Sequence, residues 1–132
     1  EIGEVLRQLI SKEDRSDYLD TVFVEGHTDN RPFNGRICGE KGNWCLSTFR
    51  AISLWQFWEE TLPENGKLSA LNNGAGKPLF SVSGYAETRP VVENQRTKED
   101  YSKNRRIDIR FTIRRPSSED YEKVRAKVDL TQ

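Results

Sequence analysis

The chain has 132 residues, which is enough for one compact domain and too few for two. Lysine plus arginine and aspartate plus glutamate each number 21, and the resulting net charge of zero excludes a global field that would attract nucleic acid or an anionic membrane. With 34% hydrophobic residues and no apolar run long enough to cross a bilayer, the sequence predicts a globular domain that recognises any charged partner locally.

The first third of the chain predicts a helix, a strand and a long loop. Apolar residues at helical spacing over residues 3–12 indicate a short amphipathic helix. Residues 21–25 are rich in β-branched and aromatic side chains and are followed by Gly26, which indicates a buried strand. Residues 27–43 carry Pro32 and several glycines without periodicity, and they predict an irregular loop. Loops of this length inside a compact domain commonly serve function.

A long central helix is predicted to begin with Ser47 as its N-cap and to end before Pro63. Apolar residues follow at three- and four-residue steps, and further apolar residues lie off that stripe. We therefore expect the helix to pack against both a sheet and another helix. The residues off the stripe are Phe49, Ile52 and Phe57. The aromatic residues expected in the core are Trp55, Phe57 and Trp58.

Two further strands and two helices are predicted in the second half of the chain. A strand over residues 79–85 is followed by a short helix over residues 97–104, with a capping signal at Thr97. Residues 107–114 alternate strictly between apolar and polar, which predicts a strand with one face on the core and one toward water. Pro116 closes this strand, and a charged helix is expected over residues 117–127.

The order of predicted elements is α, β, α, β, α, β, α, which favours an α/β (α+β) sandwich in which a small mixed sheet carries helices on one face. We divide the chain into an N-terminal helical extension (1–20), a central domain (21–115) and a charged C-terminal helix (116–132). Because the chain opens at Glu1 without Met, we expect a fragment whose targeting or membrane-anchoring part lies upstream.

Cys38 and Cys45 lie close together in the polar, glycine-rich loop. In an oxidising compartment they could close a small disulfide ring, and two free thiols fit the sequence equally well. Because His27 is the only histidine, too few soft ligands are available for a typical zinc site. The sequence therefore predicts no metal and no cofactor.

Four blocks of sequence, in order along the chain, resemble one family. They are Glu25-Gly26-His27-Thr28-Asp29-Asn30, Asn43-Trp44-Cys45-Leu46-Ser47-Thr48-Phe49-Arg50-Ala51, Ser83-Gly84-Tyr85-Ala86-Glu87 with Arg89-Pro90-Val91, and Asn104-Arg105-Arg106-Ile107-Asp108-Ile109. Together they resemble the OmpA-like peptidoglycan-binding domain over roughly residues 21–114. The departure is Ala86, where the family usually has glycine. The resemblance implies a βαβαβ sandwich, here with extra N- and C-terminal helices, and binding without catalysis.

The resemblance also implies a binding site for diaminopimelate, an amino acid of the peptidoglycan stem peptide that offers a carboxylate and an ammonium on one carbon. Asp29 would receive the ammonium and Arg50 the carboxylate. We expect Arg50 in the first turn of the central helix, where free backbone N–H groups also favour an anion. Arg106 would brace Asp29 or touch the ligand. The remaining implied site residues are Thr28, Asn43, and Leu46 with Ser47 through their backbone.

Within the family, the chain looks most like the flagellar stator B subunit, which anchors an ion-driven motor to the wall. Cys45 stands where an acidic residue is common, Phe49 replaces a small residue, and the charged tail after Pro116 is foreign to flagellar stators. These departures suggest a stator-like motor of another purpose, such as the stator-like subunit of Zorya-type anti-phage systems. The resemblance implies a periplasmic domain of an inner-membrane-anchored parent that is a homodimer within a motor-like complex.

Three alternatives remain open from the sequence. An outer-membrane lipoprotein-type tether would use the same site. A cell-wall hydrolase would use His27 and Asp29 as a base and its partner, but no serine in a nucleophile-elbow context, carboxylate pair or metal set accompanies them. A nucleic-acid module would use the arginines near the last strand, and the zero net charge argues against it. Those arginines are Arg105, Arg106, Arg110, Arg114 and Arg115.

Overall fold

The computed structural model describes residues 2–131, apart from the side chain of residue 131. The helices are α1 (Ile2–Ser11), α2 (Gly42–Thr61), α3 (Lys98–Asn104) and α4 (Ser118–Thr131), and the strands are β1 (Leu19–Gly26), β2 (Phe80–Gly84) and β3 (Ile107–Ile113). Short 3-10 segments cover Lys12–Tyr18, Gly39–Lys41, Glu64–Gly66 and Leu68–Ala70. The order of helices and strands confirms the order predicted from the sequence. No helix within residues 2–131 is both long and apolar enough to cross a bilayer.

The three strands form one mixed sheet in the order β2-β1-β3. β1 runs parallel to β2 and antiparallel to β3, and Val24 at its centre lies opposite Val82 and Ile109. α1 and α2 cover one face of the sheet, where Val24 packs with Leu6 and Trp58 in a buried cluster. This arrangement confirms the predicted α+β architecture of a small mixed sheet with helices on one face.

The central helix α2 begins at Gly42, five residues before the predicted N-cap Ser47. Ser47 lies fully buried inside the helix, where its hydroxyl donates to the carbonyl of Trp44 (3.1 Å) and accepts a hydrogen bond from the backbone of Ala86 (3.0 Å). The capping prediction was wrong because this tertiary hydrogen bond gives the serine a partner in the helix interior, and a local preference cannot foresee it. The positive φ of Gly42 allows the turn that precedes the helix.

The three apolar residues of α2 that lie off its predicted apolar stripe are at the surface and not in the interior. Phe49, Ile52 and Phe57 are 48%, 40% and 50% exposed, so placing Phe57 in the core was wrong. α2 does pack against the sheet and against another helix, but it does so through a single stripe that includes Ala51 and Trp58. Because the sheet covers only one side of α2, and α1 reaches it near Trp58, the outer side of α2 faces solvent.

The alternation of β3 is matched by burial over only half of the strand. Ile107 and Ile109 pack against the core beneath α2, whereas Phe111 is half exposed and Ile113 is 78% exposed. The prediction of one continuous core face was therefore wrong for the second half of the strand. The strand continues beyond the part of the sheet that the helices cover, and no alternation pattern reveals where that cover ends.

α4 is joined to the sheet by a compact cap at its first turn. The backbone N–H of Asp120 donates to the hydroxyl of Ser117 (3.2 Å), and Arg114 donates twice to the carboxylate of Asp120 (2.9 and 3.1 Å). Hydrogen bonds from Ser117, and then from Arg114, lower the pKa of Asp120 to about 2. From Tyr121 to Leu130 the side chains of α4 are exposed, as expected of a charged C-terminal helix.

Candidate ligand-binding site

A pocket of about 290 Å³ lies between the loop after β1, the first half of α2 and Arg105, which connects α3 to β3. Its lining residues are Thr28, Asp29, Arg31, Pro32, Phe33, Asn43, Leu46, Arg50 and Arg105. Five of the seven residues implied by the family resemblance are among them, and Asp29 and Arg50 face the same cavity. Ser47 and Arg106 do not line it.

Close packing between the sheet and α2 brings these two side chains together. A Cβ atom at Gly26, the last residue of β1, would collide with the carbonyl of Ser47 in α2. One at Gly84, at the end of β2, would meet the Ser47 and Thr48 side chains. The two glycines therefore let α2 approach the ends of the parallel strands. Asp29, three residues beyond β1, and Arg50 on α2 consequently lie around one pocket.

Asp29 is only 5% exposed and is held by two arginines. Its carboxylate accepts hydrogen bonds from the Arg31 side chain (2.6 and 3.2 Å), the Arg31 backbone N–H (3.0 Å) and the Arg105 guanidinium (2.8 Å). Burial by itself raises the pKa of Asp29, but the hydrogen bonds from Arg31 and Arg105 outweigh it and hold the pKa at about 2. Asp29 is therefore a carboxylate at every physiological pH.

Arg50 is partly buried, and its guanidinium makes no hydrogen bond or ion pair with another residue in the 2–131 range. It lies in the third turn of α2 and not in the first, because the helix begins at Gly42. The expected contribution of free backbone N–H groups beside Arg50 was therefore wrong. The Arg50 side chain offers its donors to a ligand without help from the helix terminus. Leu46 contributes its side chain to the pocket. The backbone of Leu46 and Ser47 lies inside the helix, where N–H groups bond to carbonyls four residues earlier.

Asn43 fastens the loop that forms the pocket wall. Its side-chain amide donates to the carbonyls of Arg31 (3.0 Å) and Asp29 (3.4 Å). A direct role in orienting the ligand stays a prediction. Ser47 lies beneath the pocket, where its hydroxyl accepts from Ala86, and Ala86 in turn accepts from the backbone N–H of Thr28 (2.9 Å). Ala86 has a φ of 53°, a conformation that favours the glycine usual in the family.

The arginine that braces Asp29 is Arg105 and not Arg106. Arg106 donates to the carboxylate of Asp108 (3.1 and 3.2 Å) and to the carbonyl of Arg89 (2.8 Å), away from the pocket. Arg105 is the C-cap of α3 and Arg106 is the last residue before β3, and of the two only Arg105 reaches Asp29. The sequence offers no sign of which one does.

Four pocket residues were missed by the sequence reasoning, namely Arg31, Pro32, Phe33 and Arg105. The Arg-Pro pair two residues after Asp29 was the available signal, because a cation that follows a carboxylate in a loop can fold back onto it. The Arg31 side chain is 55% exposed and also lies 4.2 Å from the ring centre of Tyr101. With Arg31, Arg50 and Arg105 around one carboxylate, the pocket carries an excess of positive charge and favours an anionic group.

His27 does not form the hydrolase-like pair with Asp29. Its ring is buried and stacked on Tyr85 with 5.2 Å between ring centres, and its nearest carboxylate is that of Asp108 (Nε2 to Oδ2, 3.3 Å). Neither ring nitrogen has a hydrogen-bond partner with good geometry among the described residues. Burial, and then the charge of Arg106, lower the pKa of His27. Within residues 2–131, no group of three or more His, Cys, Asp or Glu side chains could hold a metal ion.

Cys38 and Cys45 form a disulfide, with their Cα atoms 5.4 Å apart. Of the two possibilities that the sequence left open, the structure therefore has the bonded one. The bond ties the loop after β1 to the first turn of α2, on either side of Asn43 in the binding region. It restricts the loop that carries the pocket wall.

The arginines that motivated a nucleic-acid module are mostly engaged with carboxylates. Arg105, Arg106, Arg110 and Arg114 pair with Asp29, Asp108, Glu25 and Asp120 respectively. Arg110 also lies over the ring of Phe23 (4.3 Å), on the sheet face opposite the helices. Charges neutralised in this way cannot form the unpaired basic surface that phosphate binding requires.

No protein-family model matches the chain, and no curated protein sequence matches it. Among solved structures, the chain is similar to the C-terminal domain of Helicobacter pylori MotB, with 22% identity, a TM-score of 0.54 and coverage of 98% of this chain and 83% of that chain. The periplasmic domain of the same MotB gives equal identity and TM-score and is covered over 69%. The cell wall anchor of the T6SS from Pseudomonas aeruginosa is 24% identical, with a TM-score of 0.54 and coverage of 86% of this chain and 65% of that chain.

Similarity at this level of identity concerns the fold. The three-stranded mixed sheet of this chain, with α1 and α2 on one face, matches the architecture of the MotB C-terminal domain over nearly the whole chain. We conclude that the chain has the OmpA-like α+β fold of the MotB C-terminal domain.

Proposed function

We propose that this domain binds the peptidoglycan stem peptide without covalent chemistry and thereby anchors its parent protein to the cell wall. The observation that carries the proposal is that Asp29 and Arg50, far apart in sequence, line one pocket of about 290 Å³. A buried carboxylate and an unpaired guanidinium in one cavity suit a zwitterionic amino acid. Diaminopimelate presents such a zwitterion as a branch of the wall peptide.

Arg50 receives the ligand carboxylate in this proposal. Its guanidinium has no competing partner among the described side chains, and its planar fork can donate to both carboxylate oxygens. The hydroxyl of Thr28 supports the same assignment. It is buried, lines the pocket and has no hydrogen-bond partner among residues 2–131, so a ligand can satisfy it.

Asp29 receives the ligand ammonium. In the free domain the Arg31 side chain occupies both carboxylate oxygens, and an ammonium has to displace it. Because the Arg31 side chain is half exposed, it can swing into solvent while its backbone N–H and Arg105 keep their hydrogen bonds to Asp29. The exchange replaces one charged partner by another, so only a modest gain is expected from this half of the site.

Hydrogen bonds to charged groups contribute about 1.5 to 3 kcal/mol each, and ordering the ligand opposes them, so weak to moderate affinity is expected for one site. The wall presents many copies of the same peptide, and this repetition compensates for the weak affinity of one site. If the parent is a homodimer, two domains on one polymer bind with avidity that exceeds either affinity alone.

The structural relatives support a wall-anchoring role and a periplasmic location. One set is described as periplasmic and C-terminal domains of MotB and another as a cell wall anchor. The Cys38–Cys45 disulfide also suits an oxidising compartment. We propose a periplasmic domain, and we further propose that its parent is inner-membrane-anchored and stator-like. A role in Zorya-type anti-phage defence extends this proposal, and it rests on the sequence departures at Cys45, Phe49 and the charged C-terminal tail. Counts of phage plaques on cells whose parent protein carries Arg50→Ala test this role.

The test compares Arg50→Ala and Arg50→Lys with the unchanged domain. Co-sedimentation with purified cell-wall sacculi and calorimetry with a diaminopimelate tripeptide measure binding, and thermal unfolding measures stability. We expect Arg50→Ala to lose at least about tenfold in affinity, and Arg50→Lys to lie between, because lysine keeps the charge but lacks the fork. Stability should not change, since the Arg50 side chain bonds to no described residue.

Arg125→Ala, on exposed α4 outside the pocket, is the matched control and should bind like the unchanged domain. Sedimentation of Arg50→Ala at the unchanged level would contradict the proposal. Because the role is binding and not catalysis, wall material incubated with the domain should release no soluble fragments. Their appearance in chromatography would favour a hydrolase.

A further inference from the structure

A second cavity of about 670 Å³ adjoins the pocket and has no role in the proposed contacts of diaminopimelate. Leu46, Arg50 and Arg105 line both cavities, so the two are continuous. The second cavity, which we call the arginine groove, extends along the outer side of α2 and the start of β3. A ligand bound in the pocket can therefore extend past Arg50 into the arginine groove.

The arginine groove has a cationic side and an apolar side. Its cationic side consists of Arg50, Arg105 and Arg106, and its apolar side of Leu46, Phe49 and Ile107. Phe49, one of the three α2 residues that the sequence placed off the apolar stripe, is 48% exposed. An exposed aromatic ring in the same groove as three guanidinium groups suits a ligand segment with a carboxylate and an aliphatic portion.

Arg105 and Arg106 are each paired with one carboxylate, so in the groove they act as pre-ordered hydrogen-bond donors and not as free charges. Arg105 is bonded to Asp29 by one terminal nitrogen, and Arg106 is bonded to Asp108 and to the Arg89 carbonyl, so both side chains are ordered before a ligand arrives. Arg50 has no carboxylate partner among the described residues, and no carboxylate side chain lines the groove. Pre-ordered donors lower the entropic cost of binding an anion.

We propose that the arginine groove is a second subsite that binds a further carboxylate of the wall peptide, next to the diaminopimelate in the pocket. The proposal rests on the proposed function and defines its ligand more closely, as an anionic peptide and not an isolated amino acid. That carboxylate can come from the γ-linked glutamate that precedes diaminopimelate or from the peptide's C-terminus. The chemistry recognised is the same in both cases.

Calorimetry with four synthetic ligands tests the proposal: free diaminopimelate, the tripeptide Ala-γ-Glu-diaminopimelate, the same tripeptide with the glutamate α-carboxylate amidated, and the same tripeptide with the C-terminal carboxylate amidated. We expect amidation at one of the two positions to weaken binding by roughly 5- to 20-fold, as for one charged contact in a partly exposed groove. The position that responds identifies the source of the carboxylate. In Arg106→Gln, that amidation should no longer matter.

A second variant pair keeps the test informative if Arg106→Gln unfolds. Ser53 is exposed on α2 and lines the groove, so Ser53→Glu places a negative charge there and Ser53→Gln is its uncharged match of similar size. Ser53→Glu should weaken binding of the tripeptide several-fold more than binding of free diaminopimelate, and Ser53→Gln should not show that difference.

Two results would overturn the inference, and they are distinguishable. Equal binding of all three tripeptides by the unchanged domain, with free diaminopimelate still bound, would remove the second subsite and leave the proposed function intact. Absence of binding for every ligand, including free diaminopimelate, would remove the proposed function and the subsite with it.

Discussion

Replacing Asp29 by asparagine tests the electrostatics of the site directly. Asparagine keeps the shape of the side chain and removes the charge that Arg31 and Arg105 bind. The pKa of Asp29 is lowered from 3.8 to about 2, although burial opposes that shift. Since each pKa unit corresponds to about 1.4 kcal/mol, the charged form should stabilise the fold by about 2 to 3 kcal/mol near neutral pH.

The sign of the pH dependence follows from the lowered pKa. Because the folded pKa lies below the unfolded value of 3.8, the stabilisation by Asp29 is complete well above that value and is lost as the pH falls toward about 2. Asp29→Asn should therefore be less stable than the unchanged domain near neutrality, with a melting temperature lower by roughly 5–10 °C. The difference in stability between the two proteins should shrink as the pH falls through this range.

Urea denaturation followed by tryptophan fluorescence, at pH values from about 7 down to about 2, measures the difference in unfolding free energy. Asp129→Asn, an exposed carboxylate on α4, is the matched control and should show no such pH-dependent difference. A difference between Asp29→Asn and the unchanged domain that stays constant across this range would refute the reasoning, because it would show that the charge of Asp29 is not what the fold uses.

Three further predictions concern the surroundings of the site. Arg31→Ala should raise affinity for the diaminopimelate tripeptide in calorimetry by roughly two- to fivefold, because the ammonium no longer displaces a guanidinium; weaker binding would mean that Arg31 holds the ligand. Asn104→Ala should cost about 2 kcal/mol in urea denaturation, since the fully buried amide accepts from two backbone N–H groups and donates to one carbonyl, and a cost below about 0.5 kcal/mol would contradict this. The double variant Cys38→Ser with Cys45→Ser should lose about 2.5 kcal/mol of unfolding free energy in urea denaturation, because the unfolded chain regains the entropy that the short disulfide ring removes. Reduction of the disulfide in the unchanged domain should cause the same loss.

Local pattern was sufficient for the element order and for much of the core. The β-branched run before Gly26 formed β1, and the Thr97 capping signal formed α3 with the expected hydrogen bond from the Asp100 N–H to the Thr97 hydroxyl (3.2 Å). These succeeded because strands and caps depend on neighbouring residues. The prediction of where α2 begins was wrong because it depended on a distant residue. Ser47 has the chemistry of an N-cap, yet its partner is Ala86, 39 residues away.

Burial was the property that pattern predicted least well. Phe49 and Phe57 have the composition of core residues and lie at the surface, because whether an apolar side chain is covered depends on which other element reaches it. The same holds for Ile113 at the end of β3. Periodicity describes one helix or strand at a time, whereas the burial of a side chain depends on a second element that packs against it.

The sequence alone determined the kinds of residues at the binding site, through the ordered blocks that contain Asp29 and Arg50. Only the tertiary structure decided their partners: Arg105 and not Arg106 on Asp29, Arg31 folded back onto the same carboxylate, and Arg50 unpaired. The physical reason is that side-chain direction and distance are set by how closely α2 approaches the end of β1. That approach depends on packing at Gly26 and Gly84, which no local propensity encodes.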